Sequence, residues 1–437
     1  MKKIIFYLLV NVFAFINLNA QEAHLEISTK FLEKFFSRDY KLAYEMFDST
    51  VKSKIDLEQF SNILNQIENN YGTFKNLLDT TNRSDESNWI YDFGTLFEKG
   101  KLNFRIVANN KNEISGFWIT PYPEKTEYKI PDYVNIAKFK ETEVEFGKEE
   151  WKIKGTLTIP TRIQKPPCVI LIHGSGPNDR DETIGPNKPF KDIAWGLASN
   201  RIAVLRYDKR TKLYGHKMQP KSITVRNEVI EDVLEAIKYL KTRDDIDTNN
   251  IFLIGHSLGA MLAPAIAFEA QSIRGLILLA APARKLESLI LNQFQYIFSI
   301  DDKIDEEEKR QLEILSKQID SLNNQTISEN TQILGMYPDY FYELAKLNPI
   351  EIIKKLKKPV LILQGERDYQ VTMEDFETFR KEFKNHDNVK LISYPGLNHL
   401  FMYGEGKSTP EETLRPNSIG KMIIEDMNNW IKTVSEK

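Results

Sequence analysis

The feature that most constrains the fold of this 437-residue chain is a series of short, almost wholly apolar runs in its second half. They are Cys168 to Ile172, Ile202 to Leu205, Ile251 to Ile254, Leu276 to Ala280, Val360 to Leu363 and Val389 to Ser393. A strand covered on both faces reads as such a run, whereas a strand with one wet face alternates apolar and polar residues. The segments between the runs are long enough to hold crossover helices, so the pattern predicts an α/β domain built on a doubly wound, mainly parallel sheet. Thr142 to Phe146 and Trp151 to Ile159 read as two antiparallel strands that precede it. One spacing breaks the rhythm: Ala280 and Val360 are about 80 residues apart. The stretch 286–347 within that gap reads as helices, with a charged run from Asp301 to Arg310 and an aromatic cluster of Tyr337, Tyr340, Phe341 and Tyr342. It is expected to be an inserted cap whose aromatic cluster helps select substrate.

Single hydrophobic cores stop growing near about 250–300 residues, so a chain of this length calls for a second domain. Between His24 and Tyr122 helical patterns come first and strands later. Asp56 and Gln59 form a capping-box pair ahead of Leu57, Phe60, Ile63, Leu64 and Ile67, which share one helical face. Trp89 to Tyr91, Lys101 to Val107 and Ile114 to Ile119 then alternate as half-buried strands do. Residues 24–122 are expected to form a small α+β domain. The proline-punctuated stretch 123–139 is expected to be a linker, and residues 140–437 the α/β domain. Lys2 and Lys3, an apolar run from Ile4 to Ile16 and the small residue Ala20 read as a secretory signal peptide over 1–20, which implies an exported, periplasmic or extracellular protein. A membrane anchor is the alternative, and the run is short for a span of about 20 residues.

Hydrophobic residues at 41% and aromatics at 11%, with no low-complexity block, exclude a disordered chain. Loss of Lys2 and Lys3 with the leader takes the formal charge from −3 to −5. That balance gives no reason to expect nucleic acid or anionic membrane as a partner. Cys168, the lone cysteine, sits inside an apolar run and reads as core rather than as a nucleophile.

The run Ile251 to Ile254 passes straight into Gly255-His256-Ser257-Leu258-Gly259, and a helical pattern follows at once. This is G-x-S-x-G in the strand–turn–helix setting that makes it a nucleophile elbow, with room only for glycine two residues either side of the serine. A serine hydroxyl needs a base held by an acid, and in this fold both follow the serine along the chain. Two histidines lie downstream. His386 sits in a polar loop and reads as a surface residue; His399 follows the last apolar run in a glycine-bearing loop, where the base belongs. For the acid, Asp368 lies a few residues past Val360 to Leu363, and Glu366 is its rival. Backbone N–H groups of Leu258 and of Ser175, in the glycine-rich turn His173-Gly174-Ser175-Gly176-Pro177, are the candidate oxyanion donors. No phosphate-binding glycine pattern and no close metal-ligand spacing is present, so no metal or cofactor is expected. The charged loop Asn178 to Glu182 reads either as solvated or as a gate or substrate-orienting ion pair beside the site.

With these residues in view, the chain from about 140 onward resembles the α/β-hydrolase superfamily, in particular bacterial esterases and serine aminopeptidase-like proteins with a short helical cap. His173 to Thr183 together with Gly255 to Gly259 is similar to secreted bacterial carboxylesterases. Those proteins carry a small N-terminal domain of unknown function, which residues 24–122 resemble; the helices-then-strands order is also similar to cystatin-like folds. The resemblance implies Ser257, Asp368 and His399 as a triad, and hydrolysis of a small-molecule ester through an acyl-enzyme. A peptidase or amidase with the same triad, and a binding protein that has lost the chemistry, are the competing readings.

Overall fold

The computed structural model describes residues 24–84, 88–122, 128–215 and 217–436. The expected leader at 1–20 and part of the expected linker lie outside these residues. The chain divides into two compact units between residues 124 and 125.

In the first unit, helices 24–36, Tyr40–Glu45, Ser49–Lys52 and Leu57–Tyr71 precede a four-stranded antiparallel sheet. Its strands are β1 (Phe74–Ser84), β2 (Asn88–Phe97), β3 (Gly100–Asn109) and β4 (Ile114–Pro121), paired in that order. The capping box is formed: Gln59 N donates to Asp56 Oδ1 at 2.8 Å, and Asp56 N donates to Gln59 Oε1 at 3.0 Å. Phe60 and Leu64 are buried in an aromatic core with Phe31, Phe35 and Phe104, but Leu57 at the first turn is 39% exposed. The sequence pattern missed β1. It is an edge strand, its residues are mostly exposed, and its pairing is shifted by irregularities near Phe74 and Leu77, which erase the alternation.

The second unit holds an eight-stranded sheet of β5 (Phe139–Phe146), β6 (Ile153–Pro160), β7 (Cys168–Ile172), β8 (Ala203–Tyr207), β9 (Ile251–His256), β10 (Gly275–Leu279), β11 (Val360–Gly365) and β12 (Val389–Tyr394). Their order is β12-β11-β10-β9-β7-β8-β6-β5. From β8 to β12 every pair is parallel, and β5 and β6 join antiparallel at the other edge. The apolar runs follow from burial on both faces: Cys168, Ile170 and Ile172 enter one core, while Val169 and Leu171 enter the other. Because β7 sits between β8 and β9, the order in which strands are added reverses at β7, the place where ligands lodge in such sheets.

Helices Leu286–Phe298, Glu306–Asn323 and Pro338–Ala345 fill the long interval between β10 and β11. Their aromatic cluster does not have the role expected of it. Tyr340 and Phe341 are 3% and 2% exposed and belong to a core shared with the sheet, and none of the four aromatics lines the cavity below the cap. A cluster of rings at helical spacing fits a core as well as a pocket.

Candidate active site

Ser257 stands at the turn from β9 into the helix Leu258–Glu269, with φ 53° and ψ −117°. A side chain rarely adopts this backbone, and here the surroundings impose it. A Cβ on Gly255 would lie 2.3 Å from the Gly259 oxygen, and one on Gly259 would lie 2.2 Å from the Ile172 oxygen. The Ser257 N–H donates to Leu279 O at 2.9 Å. The turn is therefore pinned on β10 and opens its serine onto a cavity of about 210 Å³ that His399, Ser175 and Leu258 also line.

The two downstream candidates meet. His399 Nδ1 lies 2.7 Å from Asp368 Oδ2, and both side chains are buried. Oδ2 also accepts from Gln364 Nε2 at 3.2 Å, and Oδ1 accepts from the N–H groups of Gln370 and Val371 at 2.8 and 3.0 Å. Four contacts leave the carboxylate one orientation. The His399 loop is tied by Asn398, whose Oδ1 accepts from Leu400 N and Met402 N at 3.0 and 3.1 Å. No hydrogen bond closes between Ser257 and His399 among the described residues; in unliganded sites this contact is commonly long and tightens with substrate. Glu366 is exposed and accepts from Ser393 Oγ at 2.8 Å, away from His399. His386 is half-buried against Phe383 between exposed neighbours, and does not line the cavity.

Gly174 N donates to Glu182 Oε1 at 2.7 Å, so that group is occupied. No acceptor among the described residues takes the Ser175 N–H or the Leu258 N–H. Leu258 N is one of the unsatisfied donors that every helix start presents.

The charged loop is not solvated as a whole, and Asn178 and Glu182 line the cavity. Asp181 and Glu182 are 8% and 2% exposed. Arg180 Nη2 meets Asp208 Oδ2 at 2.7 Å, and Asp181 bonds Arg206 and, at 3.0 Å, Lys188. Buried charges need partners, and here the partners fasten the loop to β8 and the residue just past its end.

Sequence reasoning also missed His256 and Glu182 as a pair. His256 Nε2 donates to the carbonyl of His399 at 3.0 Å, while Nδ1 lies 3.0 Å from Glu182 Oε2 in poor alignment for a hydrogen bond. Burial works against charge on His256, but the facing Glu182 carboxylate outweighs it and holds the imidazole above its ordinary range. Burial likewise raises Glu182, and His256 reverses the sign, leaving the carboxyl below its ordinary range. His173, by contrast, is pulled down to about 4 by burial.

The cavity wall under the cap is apolar, with Leu286, Leu289, Ile290 and Met336, and Gln293 adds a polar point. Among the described residues, no group of three or more His, Cys, Asp or Glu side chains is arranged to hold a metal ion.

Comparison with known proteins fits this architecture. Residues 157–383 match the family BD-FAE, and residues 28–117 match a protein family of unknown function, DUF3887. Esterase EstD of Thermotoga maritima is 38% identical over 411 residues, covering 94% of this chain and 95% of that protein. Among solved structures, Est1E from Butyrivibrio proteoclasticus is 20% identical with a TM-score of 0.45, over 68% of this chain and 99% of its own. An esterase of Pyrococcus furiosus is 17% identical with a TM-score of 0.43, over 72% and 96%. Identity to EstD along nearly the whole of both proteins settles the family: the chain belongs to the α/β-hydrolase esterases and is a carboxylic ester hydrolase with an N-terminal DUF3887 domain.

Proposed function

We propose that the chain cleaves esters of short acyl groups through an acyl-enzyme on Ser257. His399 takes the Ser257 proton on Nε2 as Oγ attacks the ester carbonyl, and Asp368 holds the other ring nitrogen so that Nε2 faces the serine. The carbonyl oxygen, now negative, accepts from the free N–H groups of Ser175 and Leu258. Nε2 returns the proton to the leaving alcohol as the C–O bond breaks. Water then attacks the acyl-enzyme by the same path, releasing the acid and restoring Ser257.

The observation that supports this reading best is the 2.7 Å contact between His399 Nδ1 and Asp368 Oδ2 beside the strained Ser257 turn. A cavity of about 210 Å³ with an apolar wall suits a short acyl chain rather than a long one. The leader read at 1–20 supports export, so the substrate would be met outside the cytoplasm. A fluorophosphonate that labels the wild type at Ser257, and fails to label Ser257→Ala of unchanged thermal stability, is the expected result. Labelling of the Ala variant at wild-type rate would contradict it.

A further inference from the structure

Lys209, two residues past the end of β8, is 1% exposed and carries an ammonium group with three donors. All three are used. Nζ donates to the carbonyls of Gly174 and Gly176 at 2.9 and 3.0 Å, and it pairs with Glu228 Oε1 at 2.5 Å. Its backbone N–H adds a bond to Asn178 O at 3.0 Å. The Gly174 carbonyl shares its peptide plane with the Ser175 N–H, so a single buried cation fixes the plane of the candidate donor itself and also holds the peptide that follows Gly176. Glu228 lies in a π-helical turn, Arg226–Ile230, a rare local irregularity that is frequent at functional sites. Its second oxygen, Oε2, accepts from the Tyr340 hydroxyl at 2.7 Å. Burial pushes the Tyr340 phenol far above its ordinary range, so it remains a donor. Tyr340 belongs to the cap helix Pro338–Ala345, and Met336, just before that helix, lines the cavity.

We propose that Tyr340, Glu228 and Lys209 are positioning residues that couple the cap to the oxyanion loop. Lys209 holds the Gly174 and Gly176 carbonyls so that the Ser175 N–H faces the cavity, and Tyr340 holds Glu228, and through it Lys209, while the cap segment is seated. Substrate that packs on Met336 thus touches the same segment that aims the donor. A buried ammonium left without its carboxylate is unstable, so the three groups act together. The proposal rests on Ser175 being an oxyanion donor, as read above.

The test measures kcat and KM on a short-chain ester for four variants, each checked by thermal unfolding. Ser175→Pro removes the N–H and examines the underlying reading: kcat falls by about 10²-fold if the donor is used. Tyr340→Phe removes one hydroxyl and keeps the ring; kcat falls on the order of 10-fold with KM little changed, since only transition-state binding is lost. Lys209→Met lowers kcat by about 10²-fold through misplacement of the loop. The double variant Tyr340→Phe/Lys209→Met is no slower than Lys209→Met alone, because both act on one element.

Additive losses in the double variant, or an unchanged kcat in a folded Tyr340→Phe, would overturn the relay even where Ser175→Pro is impaired. An unchanged kcat in Ser175→Pro would instead overturn the donor reading on which it stands. Should Lys209→Met fail to fold, Glu228→Gln takes its place in the same cycle.

Discussion

The two sides of the cavity at Ser257 are held in different ways. On one side, the loops after β11 and β12 bring Asp368 and His399 together through local backbone bonds: Gln370 and Val371 cap the carboxylate, and Asn398 caps its own loop. On the other, the loop after β7 is held from afar by buried charges. Glu182 takes Gly174 N–H, Lys209 takes two carbonyls, and Arg180 and Asp181 tie the loop to β8 and its end. The first arrangement fixes Asp368 and His399 by turn geometry, through bonds to backbone N–H groups within a few residues. The second depends on ionised groups staying paired in a region of low dielectric, where losing one partner is strongly destabilising. One side of the site is therefore set by local turns, and the other by paired charges through which the cap can act.

Three perturbations sharpen that contrast, and the largest lies on the local side. Asp368→Asn keeps the backbone bonds to Oδ1 yet turns an acceptor toward His399 into a donor or a mismatch; kcat falls by about 10⁴-fold with the thermal midpoint nearly unchanged. Glu366→Gln, at the exposed rival, leaves kcat as it is. A larger loss in Glu366→Gln than in Asp368→Asn would reverse the assignment of the acid.

On the charged side, Glu182→Gln removes the counter-charge of His256 and lowers stability on the order of 3 kcal/mol near neutral pH. The sign of its pH dependence follows from the two shifts. His256 is raised in the folded protein, so its share of stability is complete below its unfolded value and is lost as pH rises through the folded one. Glu182 is lowered, so its share is present above its unfolded value and is lost as pH falls through the folded one. The difference in thermal midpoint between wild type and variant is therefore greatest around pH 6 and shrinks toward pH 9, as calorimetry across that range would record. A difference that grows with pH would contradict the pairing.

The smallest effect concerns the cavity wall. Leu289→Phe narrows the space under the cap and lowers kcat/KM for a longer acyl chain relative to acetate by about 10-fold, the scale of one or two methylenes in an apolar pocket. Tyr342→Ala, outside the cavity, leaves that ratio unchanged. If the two variants exchange behaviours, the lining described above is wrong.

The same contrast explains what could be read from the sequence. The elbow was legible because a steric requirement fixes the glycines around Ser257, and the Asp368 and His399 loops because each directly follows an apolar run. The parallel strands announced themselves through burial on both faces. β1 did not, since an irregular edge strand has no period to detect. Lys209 and Glu228 were equally silent: a charged residue after a strand, or inside a helical pattern, looks like solvated surface unless its distant partner is known, and Gly174 and Lys209 are 35 residues apart. The solvated reading of the Asn178 to Glu182 loop failed for that reason. Tyr340 and Phe341 were misassigned because ring content alone does not tell a core from a pocket wall.

The account turns on a covalent intermediate at Ser257, and trapping it is the most direct test. The protein is mixed with a p-nitrophenyl ester, quenched in acid within milliseconds to seconds, and its intact mass and peptides are measured. The prediction is a mass increase equal to one acyl group, located on the peptide that contains Ser257, formed with a burst of p-nitrophenol and absent from Ser257→Ala. A protein that turns over the ester at full rate with no acyl adduct at any time, or with the adduct on another residue, would contradict the mechanism at its centre.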